Sequence, residues 1–256
     1  MNQGFKLLKL ILISCFISAC ANDYKTYAPV TEISVIEPIP RTGSHTVVTG
    51  ETLYSIAWRY GLDFNNLAKY NKLTPPYSIK PQDIIYLNKQ KSEAKKPAAP
   101  KKVVKKTKKP TTSKKPITKT KPQKKIIAKP KEKEPTAKVT SWAWPAKGKV
   151  IAKYSSQNKG INIAGRNGSS IRATANGKVV YSGNGLKGYG NLLIIKHNKT
   201  YLTAYAHNSK ILVKNGDFVK QGQTIAHMGN TGTRKTMLHF EIRRNGKPVN
   251  PLHHLK

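Results

Sequence analysis

Cysteine, acidic residues and long apolar runs are all scarce in this chain, and each scarcity excludes a class of protein. Its 256 residues include two cysteines, Cys15 and Cys20, both within the first twenty positions. Neither a disulfide framework nor a cysteine-based metal site is therefore available to any later segment. Asp and Glu together number 11 against 47 Lys and Arg, a formal charge of +36. Nearly all of that excess lies beyond residue 88, so the basicity belongs to the second half. The only long apolar run is near the N-terminus and is followed by polar sequence, which excludes a multi-pass membrane protein. The length allows one or two modest domains.

Lys6 and Lys9 precede the apolar stretch Leu10 to Ile17, which is too short to span a bilayer and has the charged-then-apolar order of an export signal. The stretch ends in Ile17, Ser18, Ala19 and Cys20. This resembles the lipobox of bacterial lipoproteins, which implies a signal peptide over 1–19 and acylation of Cys20 as the first mature residue. Cys15 would leave with the signal, and a mature chain without a free thiol suits an oxidising compartment. Ala21 stands where an Asp would, by the same resemblance, favour the inner membrane. The expectation is an anchor in the outer membrane, facing the periplasm.

After a short anchored segment, 20–44, the run from His45 to Asn88 begins and ends in apolar stretches suited to strands. Between them Leu53, Ile56, Ala57 and Tyr60 recur at helical spacing, Gly61 closes that helix, and Asp63 caps a second carrying Leu67 and Ala68. The order predicted is strand, helix, helix, strand. The run resembles a LysM domain, whose marks here are Gly50, Thr52, Leu53, Ile56, Ala57, Asn71, Asp83, Ile84 and Ile85. That resemblance implies binding to glycan strands of peptidoglycan in a shallow groove between two loops, with Gly50, Thr52, Leu53, Asn71 and Tyr77 as candidate contacts. Residues 89–140 carry 20 Lys, three Glu and seven Pro, with almost no aromatic or periodic apolar content. Too little apolar surface is present to offset chain entropy, so this reads as a disordered basic linker. In polyproline geometry it would reach on the order of 160 Å. A lysine-rich tail can mark nucleic-acid binding, but export and the lack of base-stacking aromatics argue against any specific nucleic acid.

From Trp142 onward the chain holds 14 of its 18 glycines, and β-branched runs such as KVVYSG, NLLIIKH and YLTAYAH are separated by Gly and Asn. This is an antiparallel, mainly-β pattern over 141–256. Turn signals at 176–178, 214–217 and 245–247 predict hairpins. Eight motifs, among them NKGINIAG at 158–165, GYGNLLIIKH at 188–197, YAH at 205–207 and LHFEIR at 238–243, resemble the LytM, or lysostaphin-type, zinc endopeptidase domain over essentially its whole length. Active members take zinc through HxGxD and the second His of HxH, with the His of YAH and the first His of HxH around the reacting carbonyl. Here the resemblance places Asn158 and Asn162 at the first motif and Met237, Leu238 and His239 at the second. Two of three ligands are replaced, and an Asn amide is a weak, neutral donor to zinc. Only His207 and His239 survive of five functional positions. His197, His227, His253 and His254 show no metal-binding spacing, and no motif calls for a cofactor.

The whole architecture resembles the murein hydrolase activators, with their lipobox, LysM module, basic linker and degenerate LytM domain. The resemblance implies that the chain hydrolyses nothing, and that its last domain engages a periplasmic zinc-dependent N-acetylmuramoyl-L-alanine amidase. Septal peptidoglycan would then be split during cell separation, with the chain enriched at the septum. Candidate residues in the vacated groove are Lys159, Asn162, Tyr189, His207, His239 and Arg243. The alternatives are a zinc endopeptidase with unusual ligands and a structural tether between membrane and wall.

Overall fold

The computed structural model describes residues 36–89 and 138–256. The segment read as a signal peptide, Cys20 and most of the segment read as a linker lie outside the described residues. Both described parts belong to a single compact unit. No helix among them is long and apolar enough to cross a membrane.

The first part is the expected strand, helix, helix, strand: β1 (Ser44–Thr46), α1 (Leu53–Arg59), α2 (Phe64–Tyr70) and β2 (Ile84–Tyr86). Side chains fix where each helix starts. Thr52 Oγ1 accepts from the Ser55 backbone N–H at 3.2 Å, and Ser55 Oγ accepts from the Thr52 N–H at 2.9 Å, a reciprocal cap. Asp63 accepts from the Asn66 N–H at 2.9 Å to start α2. Gly61, at φ +63, lets the chain turn between them. β1 and β2 pair antiparallel with His45 opposite Ile85, and Leu53, Ile56, Leu67 and Leu87 form the buried centre.

The second part is mainly β: β3 (Val150–Ala152), β4 (Ile161–Ala164), β5 (Ser170–Arg172), β6 (Gly177–Gly183), β7 (Leu192–Lys196), β8 (Tyr201–Ala206), β9 (Asn208–Ile211), β10 (Phe218–Val219), β11 (Thr224–Met228), β12 (Met237–Arg244) and β13 (Lys247–Val249). A large sheet runs β10-β6-β7-β8-β12-β4-β3, with β13 beside β12, and a small sheet runs β5-β11-β9. Period-two alternation splits the large sheet into two faces. Leu193, Ile195, Tyr205, Leu238, Phe240 and Ile242 join a core shared with Ile171 and Ala226 of the small sheet. Leu192, Ile194, Leu202, Ala204 and Ala206 point the other way, into a cluster shared with the helical module.

Of the three turn signals, those at 214–217 and 245–247 fall on turns, and only the second of these closes a hairpin; Gly177 and Lys178 of the signal at 176–178 already belong to β6. Asn245 and Gly246 join β12 to β13, which pair directly. The turn at 214–217 instead carries the chain from β9 in the small sheet to β10 in the large one, and the short link at 173–176 leads from β5 to β6 across the same divide. Asp217 accepts from the Lys214 N–H at 3.0 Å, so the local turn chemistry is satisfied whichever sheet the next strand joins.

His197, just after β7, is buried, with Nδ1 2.8 Å from the Asn176 carbonyl and Nε2 2.7 Å from the Thr203 hydroxyl. Nδ1 donates to the carbonyl, so Nε2 accepts from the hydroxyl. Burial lowers the pKa of this imidazole to about 4, against the opposing pull of the Asn176 carbonyl. An unfolded His takes up its proton near ~6.5, so the unfolded chain binds more protons between those values. The contribution, about 3 kcal/mol, is present above that pH and is lost as pH falls toward 4. The urea midpoint should therefore drop across this window while the His197 ring protons keep their neutral NMR shift. A His197 titration near the ordinary value contradicts the assignment.

A buried charged strand face covered by the helical module

His239, Glu241 and Arg243 alternate along β12 and so project to one face, all three fully or almost fully buried. They form a continuous hydrogen-bonded chain. His239 Nδ1 lies 2.7 Å from Asn162 Oδ1, its neighbour on β4, and His239 Nε2 lies 3.2 Å from Glu241 Oε1. The Tyr189 hydroxyl donates to Glu241 Oε1 at 2.7 Å. Arg243 Nε donates to Glu241 Oε2 at 3.0 Å, and Nη2 to the Tyr189 hydroxyl at 3.3 Å. Burial alone would push the Glu241 carboxyl up, but the Arg243 guanidinium and the hydrogen bonds from His239 and Tyr189 outweigh it and hold it below the usual range. Burial and the adjacent Glu241 push the Tyr189 hydroxyl well up, so it stays a donor.

His207 sits beside this chain, its ring 6.3 Å from that of His239. Its backbone is left-handed, at φ +64, and its Nδ1 donates to the Thr231 carbonyl at 2.7 Å. Its Nε2 is buried and has no protein partner. Burial lowers its pKa to about 4, with the Thr231 hydrogen bond opposing and His239 adding to the shift. Met237 is buried at the start of β12. Asn158 turns away from this group, its amide donating to the carbonyls of Lys153 at 3.1 Å and Gly160 at 2.8 Å. Lys159, at φ +55, is half-buried in the same turn. Among the described residues, no three His, Cys, Asp or Glu side chains are placed to hold a metal ion.

The helical module is seated on this face. The Arg243 guanidinium lies 3.6 Å from the centre of the Trp58 ring, and Nη1 donates to the Trp58 carbonyl at 2.7 Å. The ammonium of Lys196, on β7, lies 5.3–5.8 Å from the ring centres of Phe64, Tyr54 and Tyr77, an aromatic cage built by the module. Thr52 Oγ1 donates to the Val180 carbonyl at 3.0 Å, and Asn65 Nδ2 to that of Lys199 at 2.9 Å. Of the other residues singled out for glycan contact, Leu53 is wholly buried, and Gly50, at φ +87, stands in open space. The Asn71 side chain donates to the Leu67 and Tyr86 carbonyls and accepts from the Tyr86 N–H, which pins α2 to β2. Trp58, Glu241 and Lys196 escaped sequence reasoning. The one signal for Glu241 was its isolation as an acid in a basic domain, in step with His239 and Arg243.

The fold defines a two-module protein, a LysM domain over residues 45–88 followed by a Peptidase family M23 domain matched over 156–251. The lipoprotein NlpD/LppB homolog of Pseudomonas aeruginosa is 46% identical, over 84% of this chain and 77% of its own length. The murein hydrolase activator NlpD of Salmonella dublin is 39% identical, over 83% and 68% respectively. The outer membrane antigenic lipoprotein B of Histophilus somni is 37% identical, over 89% and 71%. The chain belongs to the NlpD/LppB family of lipoproteins.

Two substitutions check the roles assigned by geometry. Replacing Glu241 with Ala strands the Arg243 charge in the interior and should cost about 3–5 kcal/mol in urea unfolding; a loss below ~1 kcal/mol contradicts a buried pair. Replacing Asn71 with Ala removes three hydrogen bonds and should cost about 2–3 kcal/mol, seen as a lower thermal midpoint, whereas unchanged stability with weaker glycan binding would make Asn71 a ligand contact.

Proposed function

We propose that the chain is a non-catalytic activator of a periplasmic zinc-dependent N-acetylmuramoyl-L-alanine amidase, held to the outer membrane through Cys20 and to peptidoglycan through the 45–88 module. The linker 89–140 joins that module to the 141–256 domain, and the output is septal peptidoglycan splitting and cell separation. The observation that carries the non-catalytic reading is the Asn162 Oδ1 to His239 Nδ1 bond of 2.7 Å. A hydrolytic zinc needs three protein donors with free lone pairs and an open position for water. Asn162 and His239 spend their facing atoms on each other, and Asn158 points its amide hydrogens at two backbone carbonyls. Met237 replaces the first His of the HxH pair. These residues do not suit the metal, and no hydrolytic step is assigned to them.

Activation without chemistry requires preferential binding to the open form of the amidase, because a ligand shifts an equilibrium only by its difference in affinity between the two states. The 141–256 domain carries 19 Lys and Arg against Asp217 and Glu241. Glu241 is buried and paired, so the outward field of the domain is almost wholly positive and should speed encounter with an acidic surface. Lys159, Asn162, Tyr189, His207, His239 and Arg243 define the sheet face from which the contact would be made. The names of the relatives support an activator over an enzyme.

The test is dye release from labelled peptidoglycan by the purified chain, alone and with a periplasmic amidase, with zinc measured on the same sample. Release is expected only in the mixture, with no stoichiometric zinc on the chain. Release by the chain alone with bound zinc would make it an endopeptidase, and silence in both arms would favour a tether.

A further inference from the structure

The LysM module is docked through the loops that should hold glycan. Thr52, at the head of α1, gives its hydroxyl to the Val180 carbonyl, and Tyr77, in the second loop, forms one wall of the cage around Lys196. Between these loops and the second domain there remains a cleft of about 310 Å³, lined by Thr52, Tyr54, Tyr77 and Ile79 on one side and by Lys178 and Asn215 on the other. That volume is at the bottom of the range for small-molecule sites, about 300–1,000 Å³. It has room for about one sugar ring and not for a strand of several.

The same docking covers the sheet face that carries Arg243. The Trp58 ring centre lies 3.6 Å from the guanidinium carbon, and one hydrophobic cluster runs from Leu53, Ile56 and Phe64 of the module to Leu192, Ile194 and Leu202 of the sheet. The contact has the making of a reversible seam. It is short on backbone pairing, and its polar part consists of single side-chain bonds from Thr52, Asn65, Arg59 and Arg243 to carbonyls.

We infer that peptidoglycan glycan and the β12 face of the second domain compete for the same surface of the LysM module, so that seating the module on a glycan strand uncovers the face that Trp58 covers in the free chain. The inference rests on the reading of residues 45–88 as a glycan binder. The coupling is reciprocal: a strand that binds only the undocked module lifts the cover, and docking weakens the strand by the fraction of chains that are closed.

Gly246, in the β12–β13 turn, provides a wedge. A Cβ there would stand 2.3 Å from the Leu62 carbonyl oxygen and 2.6 Å from the Asp63 nitrogen, both backbone atoms of the module. Its φ of +79 is one that Asn tolerates. Gly222 has nearly the same φ, +78, and nothing within 4 Å of a Cβ, so it is the matched control. Affinity for the N-acetylglucosamine tetramer is measured by calorimetry on the full mature chain and on its Gly246→Asn and Gly222→Asn variants. Gly246→Asn should bind about tenfold tighter, as expected of a module closed about nine-tenths of the time, and Gly222→Asn should match the parent. Without any substitution, the tetramer should also raise acrylamide quenching of tryptophan fluorescence as Trp58 is exposed. Equal affinity in all three chains together with unchanged quenching overturns the inference, as does tighter binding by the parent, which would make the cleft a composite site. Absence of tetramer binding by any of the three refutes the glycan reading itself and the inference with it.

Discussion

A guanidinium placed over one ring while bonding to a buried carboxylate holds the two modules to one another. Arg243 is 1% exposed, and a cation so deep is tolerable only when its donors are met and its face is covered. Glu241 supplies the counter-charge, Tyr189 a further acceptor, and Trp58 both the lid and the carbonyl for Nη1. Each partner comes from a different part of the chain. Removing any one exposes the charge to water or strands it, so the loop at 186–191, strand β12 and helix α1 are bound into a single arrangement. Lys196 repeats the scheme on β7, with three rings in place of one.

Much of this was legible in the sequence, for identifiable reasons. Thr52 and Asp63 cap their helices through bonds to residues three positions on, so local sequence suffices to place them. The strands of the second domain follow from β-branched runs between Gly and Asn. Turn chemistry, by contrast, does not say which sheet receives the next strand: the turn at 214–217 joins different sheets instead of closing a hairpin, and the signal at 176–178 falls on the start of β6. The family resemblance pointed to Asn158, Asn162, His207 and His239 one by one. It gave no hint that Asn162 and His239 bond to each other, because that contact spans 77 positions and depends on the β4–β12 register. Trp58 and Lys196 were invisible for the same reason. A Trp on a helix face and a Lys closing a strand are unremarkable until the two surfaces meet.

In the interior of the second domain the polar side chains face one another and the backbone. Donors that would have to point at a common centre instead close onto one another and onto backbone carbonyls, leaving the His207 Nε2 as the single ring nitrogen in this group with nothing to bond. A sheet face lined with fixed hydrogen-bonding groups and an Arg–aromatic anchor suits recognition, since such anchors tend to dominate interfaces. The proposed amidase partner would meet this face only after the chain's own module has left it. On the proposed function, anchor, glycan binder and effector domain would act in sequence, with attachment to the wall setting the exposure of the effector.

That sequence makes one quantity decisive: the affinity of the mature chain for a periplasmic amidase, measured with and without saturating N-acetylglucosamine tetramer. If glycan uncovers the effector face, the tetramer must tighten amidase binding, because two ligands that favour the same open state assist one another. An amidase affinity that is unchanged or weakened by the tetramer would contradict the account.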